Sequence, residues 1–224
     1  DRRMKSWITG SAGGAFTITN DAIESNTTGT DVNTTSGTPS ISIGPNCGNA
    51  GQGIKSIAMG YEAGKTNQGA HSVAIGSGAG WTTQDASSVA IGAYAGHTAQ
   101  GLRNVAIGAK AGRHYQASDS VAIGYGAGET QYTGCVAIGQ GAGGEGQRTR
   151  SVAIGQSAGR KNQGFDNGYA IAIGANAASD VGTDKEQAAY AICIGHYAAY
   201  SNQGTAAIAI GRGAGYENQS DNSI

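Results

Sequence analysis

The chain has 224 residues, 40 of them Gly, with 13% charged residues and only two Pro. Glycine without a third-residue period or accompanying proline excludes collagen, and ordered blocks of Ile, Val and Ala exclude a flexible linker. Fourteen Lys plus Arg against fifteen Asp plus Glu leave a net charge of -1, so the basic footprint that nucleic acid requires is missing and nucleic acid is not an expected partner.

In chain order, residues 1–39 come first and carry no repeat. They are rich in Thr, Ser, Asn and Gly after a short apolar patch at Ala15, Phe16, Thr17 and Ile18. A stacked array needs its first layer covered, so this stretch is expected to cap or connect. The sequence opens at Asp1 without a charged segment leading into an apolar one, and reads as a processed or excised piece. No apolar run approaches the roughly 18 residues that span a bilayer, so direct membrane insertion is not expected of this stretch.

From Ser40 the chain repeats itself. Blocks begin at Ser40, Ser56, Ser72, Ser88, Asn104, Ser120, Cys135, Ser151, Ala170, Ala191 and Ala207, and each approximates S-V-A-I-G-x-x-A-G-x-x-x-Q-G-x-x. The fifth position is Gly in every block, Gly60, Gly76, Gly92, Gly108 and Gly124 among them, which predicts a corner that only glycine turns. A second Gly, as at Gly64 and Gly80, yields to Ala only at Ala178 and Ala199, and the Ala column through Ala63 and Ala79 asks for a small side chain in a narrow place.

Alternation along Ser72, Val73, Ala74 and Ile75 puts Val73 and Ile75 on one face and Ser72 and Ala74 on the other. Neither face carries long polar groups, so both are expected to be covered. Two strands and two tight turns per block give a flattened roll, and ten intervals of about 4.8 Å give a rod of roughly 50 Å. With the two aliphatics of each block turned inward, burial contributes about 3 to 6 kcal/mol, against an ordering cost of about 1 to 2 kcal/mol for each of its residues. That shortfall predicts an oligomer joined through the alanine face. One glutamine recurs in every block, including Gln68, Gln84, Gln100 and Gln116, and is expected to form an amide ladder that also ties down the turns.

Two insertions break the register, at 164–169 and 179–186, and are expected to protrude as loops. Ser223 and Ile224 fall where a twelfth block would begin, so the repeat domain is taken as 40–222.

Several motifs lose their force against this period. The stretch from Gly60 to Thr66 resembles a phosphate-binding loop but has three residues between its glycines instead of four, and G-x-G-x-x-G at Gly139 to Gly144 is followed by no crossover helix. The stretch from Ile75 to Gly80 fits one turn of a hexapeptide acyltransferase helix, but the following residues lack its inward aliphatic. The histidines His71, His97, His114 and His196 sit at four different offsets and form no metal column. Cys47, Cys135 and Cys193 each replace a small residue, and about 29 Å of stacked turns between Cys47 and Cys135 forbids a bridge. No cofactor, metal or catalytic residue is expected.

One variable column remains. The position after the second Gly holds Lys65, Trp81, His97, Arg113, Arg160, Tyr200 and Tyr216. Planar rings at layer spacing suit sugar stacking, and the cations suit hydroxyls or carboxylates. With Phe165 and Tyr169 of the first inserted loop, these are the candidate ligand-binding residues.

The blocks Ser72 to Gly76, Ser88 to Gly92, Ser120 to Gly124 and Ser151 to Gly155 resemble the SVAIG repeat of trimeric autotransporter adhesin heads, over Ser40 to Gln219. The resemblance implies an all-β, left-handed parallel β-roll with three chains about one axis, no cofactor, and attachment to a host glycan or protein receptor. Those heads usually repeat near fourteen residues without this glutamine, and viral and phage fibres carry similar trimeric repeats. The expected function is therefore that of a non-enzymatic head or shaft of a fibre on a bacterial or virion surface. The alternatives are a purely structural spacer bearing a separate tip, and a β-helix acyltransferase.

Overall fold

The computed structural model describes residues 16–19, 22–25, 40–165, 167–179 and 187–224. Phe16–Thr19 and Ala22–Ser25 pair antiparallel, Phe16 opposite Ser25. The rest of the expected capping segment lies outside the described residues.

From Ser40 the fold is a parallel β-solenoid of about eleven turns, with no helix among the described residues. Each turn places its aliphatic triplet in a three-residue strand, from Ile41–Ile43 to Ile208–Ile210, and all eleven lie side by side in one parallel sheet in chain order. The register is one repeat per layer: Val73 faces Val89, Val89 faces Val105, and Val105 faces Val121. The backbone of each turn bonds both neighbours, as where the Val73 amide donates to Ser88 O at 2.9 Å and the Gly92 amide to Ile75 O at 2.8 Å.

The opposite wall is built from the residues that end on glutamine. Thr66–Gln68, Thr82–Gln84, Thr98–Gln100, Tyr115–Gln116 and Thr130–Gln131 form a second parallel sheet, and Ser201–Gln203 pairs with Glu217–Gln219 further along. Between them the wall continues through single pairings such as Gln131 with Gln147 and Gln187 with Gln203. The turn from Ser120 to Gly134 has one residue fewer than its neighbours, lost between Gly128 and Gln131. Other turns hold a left-handed residue there, Asn67, Thr83 or Ala99, so deletion shortens a bulge while Gln131 keeps its place between Gln116 and Gln147.

The interior corrects the expected facing of the strands. Ala58, Ala74, Ala90, Ala106 and Ala122 are 0% exposed, as are Ala63, Ala79, Ala95 and Ala111 from the adjoining turns and Ser72 and Ser88. Val73, Ile75, Val89 and Ile91 point the other way and remain half-buried. The reason is the separation of the walls. A glutamine side chain spans the gap and donates to the facing strand, Gln84 Nε2 to Val73 O at 2.9 Å and Gln100 Nε2 to Val89 O at 3.0 Å. A gap of that width filled by amides has room for Ala and Ser, and none for two branched aliphatics.

The glutamines also bond one another along the rod. From Gln68 to Gln163 each Nε2 donates to the Oε1 of the next turn, at 2.8 to 3.2 Å. The ladder stops there and resumes from Gln187 through Gln203 to Gln219, both bonds 3.2 Å. Its starting atoms, Gln68 Oε1 and Gln187 Oε1, are buried without a partner among the described residues. Gln52 lies outside this run: its Oε1 accepts from Ser42, which occupies the alanine column, at 2.7 Å, and its Nε2 donates to Ile41 O at 3.0 Å. A second ladder runs through the serines: Ser72 Oγ donates to Asp85 O at 2.8 Å and accepts the Ser88 amide at 3.2 Å, and Ser88 repeats the pattern with Gly101 and Asn104.

The corner glycines turn at φ between +122° and +137° in all eleven turns. An added Cβ at Gly92 would lie 2.7 Å from the backbone carbon of Gly108, because successive corner glycines stack on one another. The second glycine has a different neighbour: a Cβ at Gly80 would lie 2.8 Å from Gln84 Oε1. At the far end the Ile208 amide donates to Ser223 O at 2.8 Å, the bond that Val73 makes with Ser88.

Candidate functional site

The roll has two lateral edges, one at the turn between the aliphatic triplet and the glutamine wall, the other at the return from glutamine to serine. The candidate column lies on the first. Lys65 Nζ is 2.6 Å from Glu62 Oε1 and sits 5.2 Å above the Trp81 ring. Trp81 donates from Nε1 to Glu62 Oε2 at 3.1 Å, and its ring stacks on His97 with centroids 4.9 Å apart and planes 9° from parallel. Tyr94 leans on His97 at 5.3 Å, and the Arg113 guanidinium lies 6.0 Å over Tyr94. Four successive turns thus build one continuous ridge of ring, cation and carboxylate.

The electrostatics follow from this packing. The hydrogen bond from Lys65 holds the Glu62 carboxyl below its ordinary range. Partial burial lowers the His97 imidazole below its ordinary value, helped by the charges of Arg113 and His114 and opposed by Glu62.

Tyr200 and Tyr216 form a second group on the same edge, stacked at 5.2 Å with planes 14° apart and joined by Tyr197. Between the two groups the column holds Glu129, Gly144, Arg160 and Ser179. Arg160 therefore stands away from the aromatic groups and borders a cleft described below.

Phe165 and Tyr169 fall on the opposite edge. Phe165 bridges to Ala188, and Tyr169 stacks on Tyr190 at 5.5 Å with the Arg150 guanidinium 5.5 Å over its ring and hydrogen-bonded to its hydroxyl. Of the two expected loops, 164–169 is described apart from residue 166, and the second lies outside the described residues except at Ser179. On this edge Arg103 also grips Asp119 of the next turn with two bonds, 2.6 and 2.9 Å.

Sequence reasoning singled out the position after the second glycine and so missed Glu62, Tyr94, Tyr197, Arg150 and Tyr190, which complete these clusters. The signal was available in the repeat: Glu62, Tyr94 and Tyr197 share one offset, two residues past the corner glycine, and Tyr190 precedes Ala191 as Tyr169 precedes Ala170.

The buried cysteines are poorly placed for chemistry. Burial pushes the Cys135 thiol up to about 11 while it donates to Arg148 O at 2.9 Å from a serine position, and burial raises Cys193 further still. Thiols held protonated in this way are not nucleophiles. Among the described residues no cluster of three or more His, Cys, Asp or Glu could hold a metal ion.

Comparison with known proteins adds no identification: no protein-family model, curated protein or solved structure matches the chain.

Proposed function

We propose that the protein is a non-enzymatic attachment rod, a left-handed β-roll in which three copies pack about one axis to form the head or shaft of a fibre on a bacterial or virion surface. The supporting observation is the pairing of two outward features on one rigid scaffold: a ridge of rings and cations along one edge, and an uninterrupted aliphatic face on the sheet. Every outward position of the eleven strands is Val, Ile or Met, and Ile107, Ile138 and Ile194 are each 37% exposed in a single chain. A stripe about 50 Å long and about 10 Å wide comes to about 500 Å², near the top of what a lone protein leaves uncovered. Two sister copies cover such a stripe along its whole length, and a parallel arrangement keeps every layer matched with its own kind.

With the aliphatic face committed to sister chains, the ridge edge is left for a host glycan or protein receptor. The test is adherence of the labelled protein to host cells and immobilised matrix, together with variants in which Trp81, Arg113 and Tyr216 are replaced by Ala. Adherence that falls at least tenfold in the variants supports the reading. No adherence to any surface replaces it with that of a structural spacer, which mutual stacking of Trp81 on His97 also suits.

A further inference from the structure

A cleft opens along the ridge edge. Where successive turns pass Gly126, Gly141 and Gly144, three positions that carry side chains elsewhere carry none, and a cleft of about 280 Å³ opens beside Tyr125. The place of Gly126 and Gly141 is taken by Glu62, Tyr94 and Lys110 in other turns and is glycine again at Gly78 and Gly213, while the place of Gly144 is taken by Lys65, Trp81, His97 and Arg113.

The fold does not demand these glycines. Gly126 and Gly141 have φ of +60° and +63°, but Glu62, Tyr94 and Lys110 adopt +55°, +57° and +61° at the same offset. A Cβ would meet nothing nearer than 3.5 Å at Gly126 and 3.8 Å at Gly141. Gly144 is outside the left-handed region, and its nearest neighbour would be Gly141 O at 3.3 Å. The corner glycines, with backbone at 2.7 Å, are a different case. What the three small residues provide is space.

The walls of that space are chemically mixed. Tyr125, 54% exposed, offers its ring, and Lys110 of the preceding turn sits 5.6 Å above it. Glu129 and Glu145 offer carboxylates, the first 4.0 Å from the His114 imidazole and the second 4.0 Å from Lys161 Nζ. Gln140, Ser157 and Arg160 supply donors. An aromatic ring bordered by both acceptors and donors is what the apolar face and vicinal hydroxyls of a sugar ring require. The volume lies just under the usual range of ligand pockets, about 300 to 1,000 Å³, which suits one or two rings. Glu129 and Glu145 line the cleft against Arg160, and with Lys110 and Lys161 beside them the charges do not single out an anionic sugar.

We infer that the cleft beside Tyr125 is a subsite for a neutral, hydroxyl-rich saccharide. This deepens the attachment reading and rests on it. The experiment is calorimetric titration of the intact protein with maltose, lactose and cellobiose, with sialyllactose as the charged control, alongside the cell-adherence assay. The variants are Tyr125→Ala, Gly144→Trp, which restores the side chain that Trp81 carries on its own turn, and Leu102→Ala, an exposed residue outside the cleft and the ridge.

The expected result is binding of at least one neutral disaccharide, weakened at least tenfold by both cleft variants, unchanged by Leu102→Ala, and no tighter for sialyllactose. Circular dichroism checks each fold, and should Gly144→Trp not fold, the exposed Tyr125→Ala decides alone. Retention of binding in a folded cleft variant, preference for sialyllactose, or no neutral sugar bound by a protein that still adheres to cells overturns the subsite and leaves attachment standing. Failure to adhere as well overturns both.

Discussion

Glycine at the corner of each turn answers two demands at once, a φ near +125° and room for the corner glycine of the next layer. Gly92→Ala fails both and is expected to cost more than about 2 kcal/mol, read as a fall in the thermal midpoint, whereas Gly126→Asn should leave the midpoint nearly unchanged. The glutamines invite a sharper test. Gln100 accepts from Gln84 and donates to Gln116 and Val89 O, so Gln100→Glu buries a carboxylate where a donor is needed. Its folded pKa is raised, so the loss of stability should be smallest below the ordinary value of about 4.3 and grow as pH rises through the folded value. For His97 the sign is reversed. Its folded pKa is lowered from 6.5, so the unfolded chain takes up the proton first. The stability of the neutral ring is present above about pH 6.5 and is lost as pH falls through the folded value. His97→Phe keeps the stack on Trp81 and should remove that part of the acid sensitivity, seen by comparing thermal midpoints of the two proteins at pH 7.5 and 5. Equal slopes for both proteins would contradict it. The corner glycines and the glutamine column were legible in the sequence because the chain states them eleven times over. The serine ladder was not, since a small polar residue beside a strand is also what an exposed turn carries.

The two walls divide the work between them. The aliphatic sheet is continuous through every turn, and the glutamine wall tolerates a lost residue before Gln131 and interruption after Gln163 because its essential contact is one side chain per layer. Alternation in Ser72 to Ile75 told which residues share a face, yet it left open which face turns inward. Ranking side chains by their burial energy chose Val and Ile, the wrong answer. The length of the glutamine decides the spacing, and the spacing selects Ala74 for the inside and Val73 and Ile75 for the outside. The apolar face left uncovered on the single roll is therefore the aliphatic one and not the alanine one, and the proposed oligomer interface moves with it. Val121→Lys with Ile107→Asp, both on the outer surface, should leave the far-ultraviolet spectrum of the single roll intact while reducing the molecular mass in solution. An unchanged mass would place the interface elsewhere.

At the scale of the whole molecule, a rod of roughly 50 Å has an interior of alanine, serine and amide and an exterior stripe of branched aliphatics, the inverse of an ordinary core. Hydrogen bonds between layers hold the single roll in register, and in the proposed trimer burial of the stripe would supply the apolar contribution that the interior lacks. The candidate ridge was legible only in part for a related reason: a repeat reveals columns, but contacts between columns, such as Glu62 with Trp81 or Tyr94 with His97, require the coil to be closed. The most direct measurement is sedimentation equilibrium of the intact chain. Three chains of 22.2 kDa give 66.6 kDa, the mass the account predicts. A stable, folded species at 22.2 kDa, with its aliphatic stripe open to water, would contradict it.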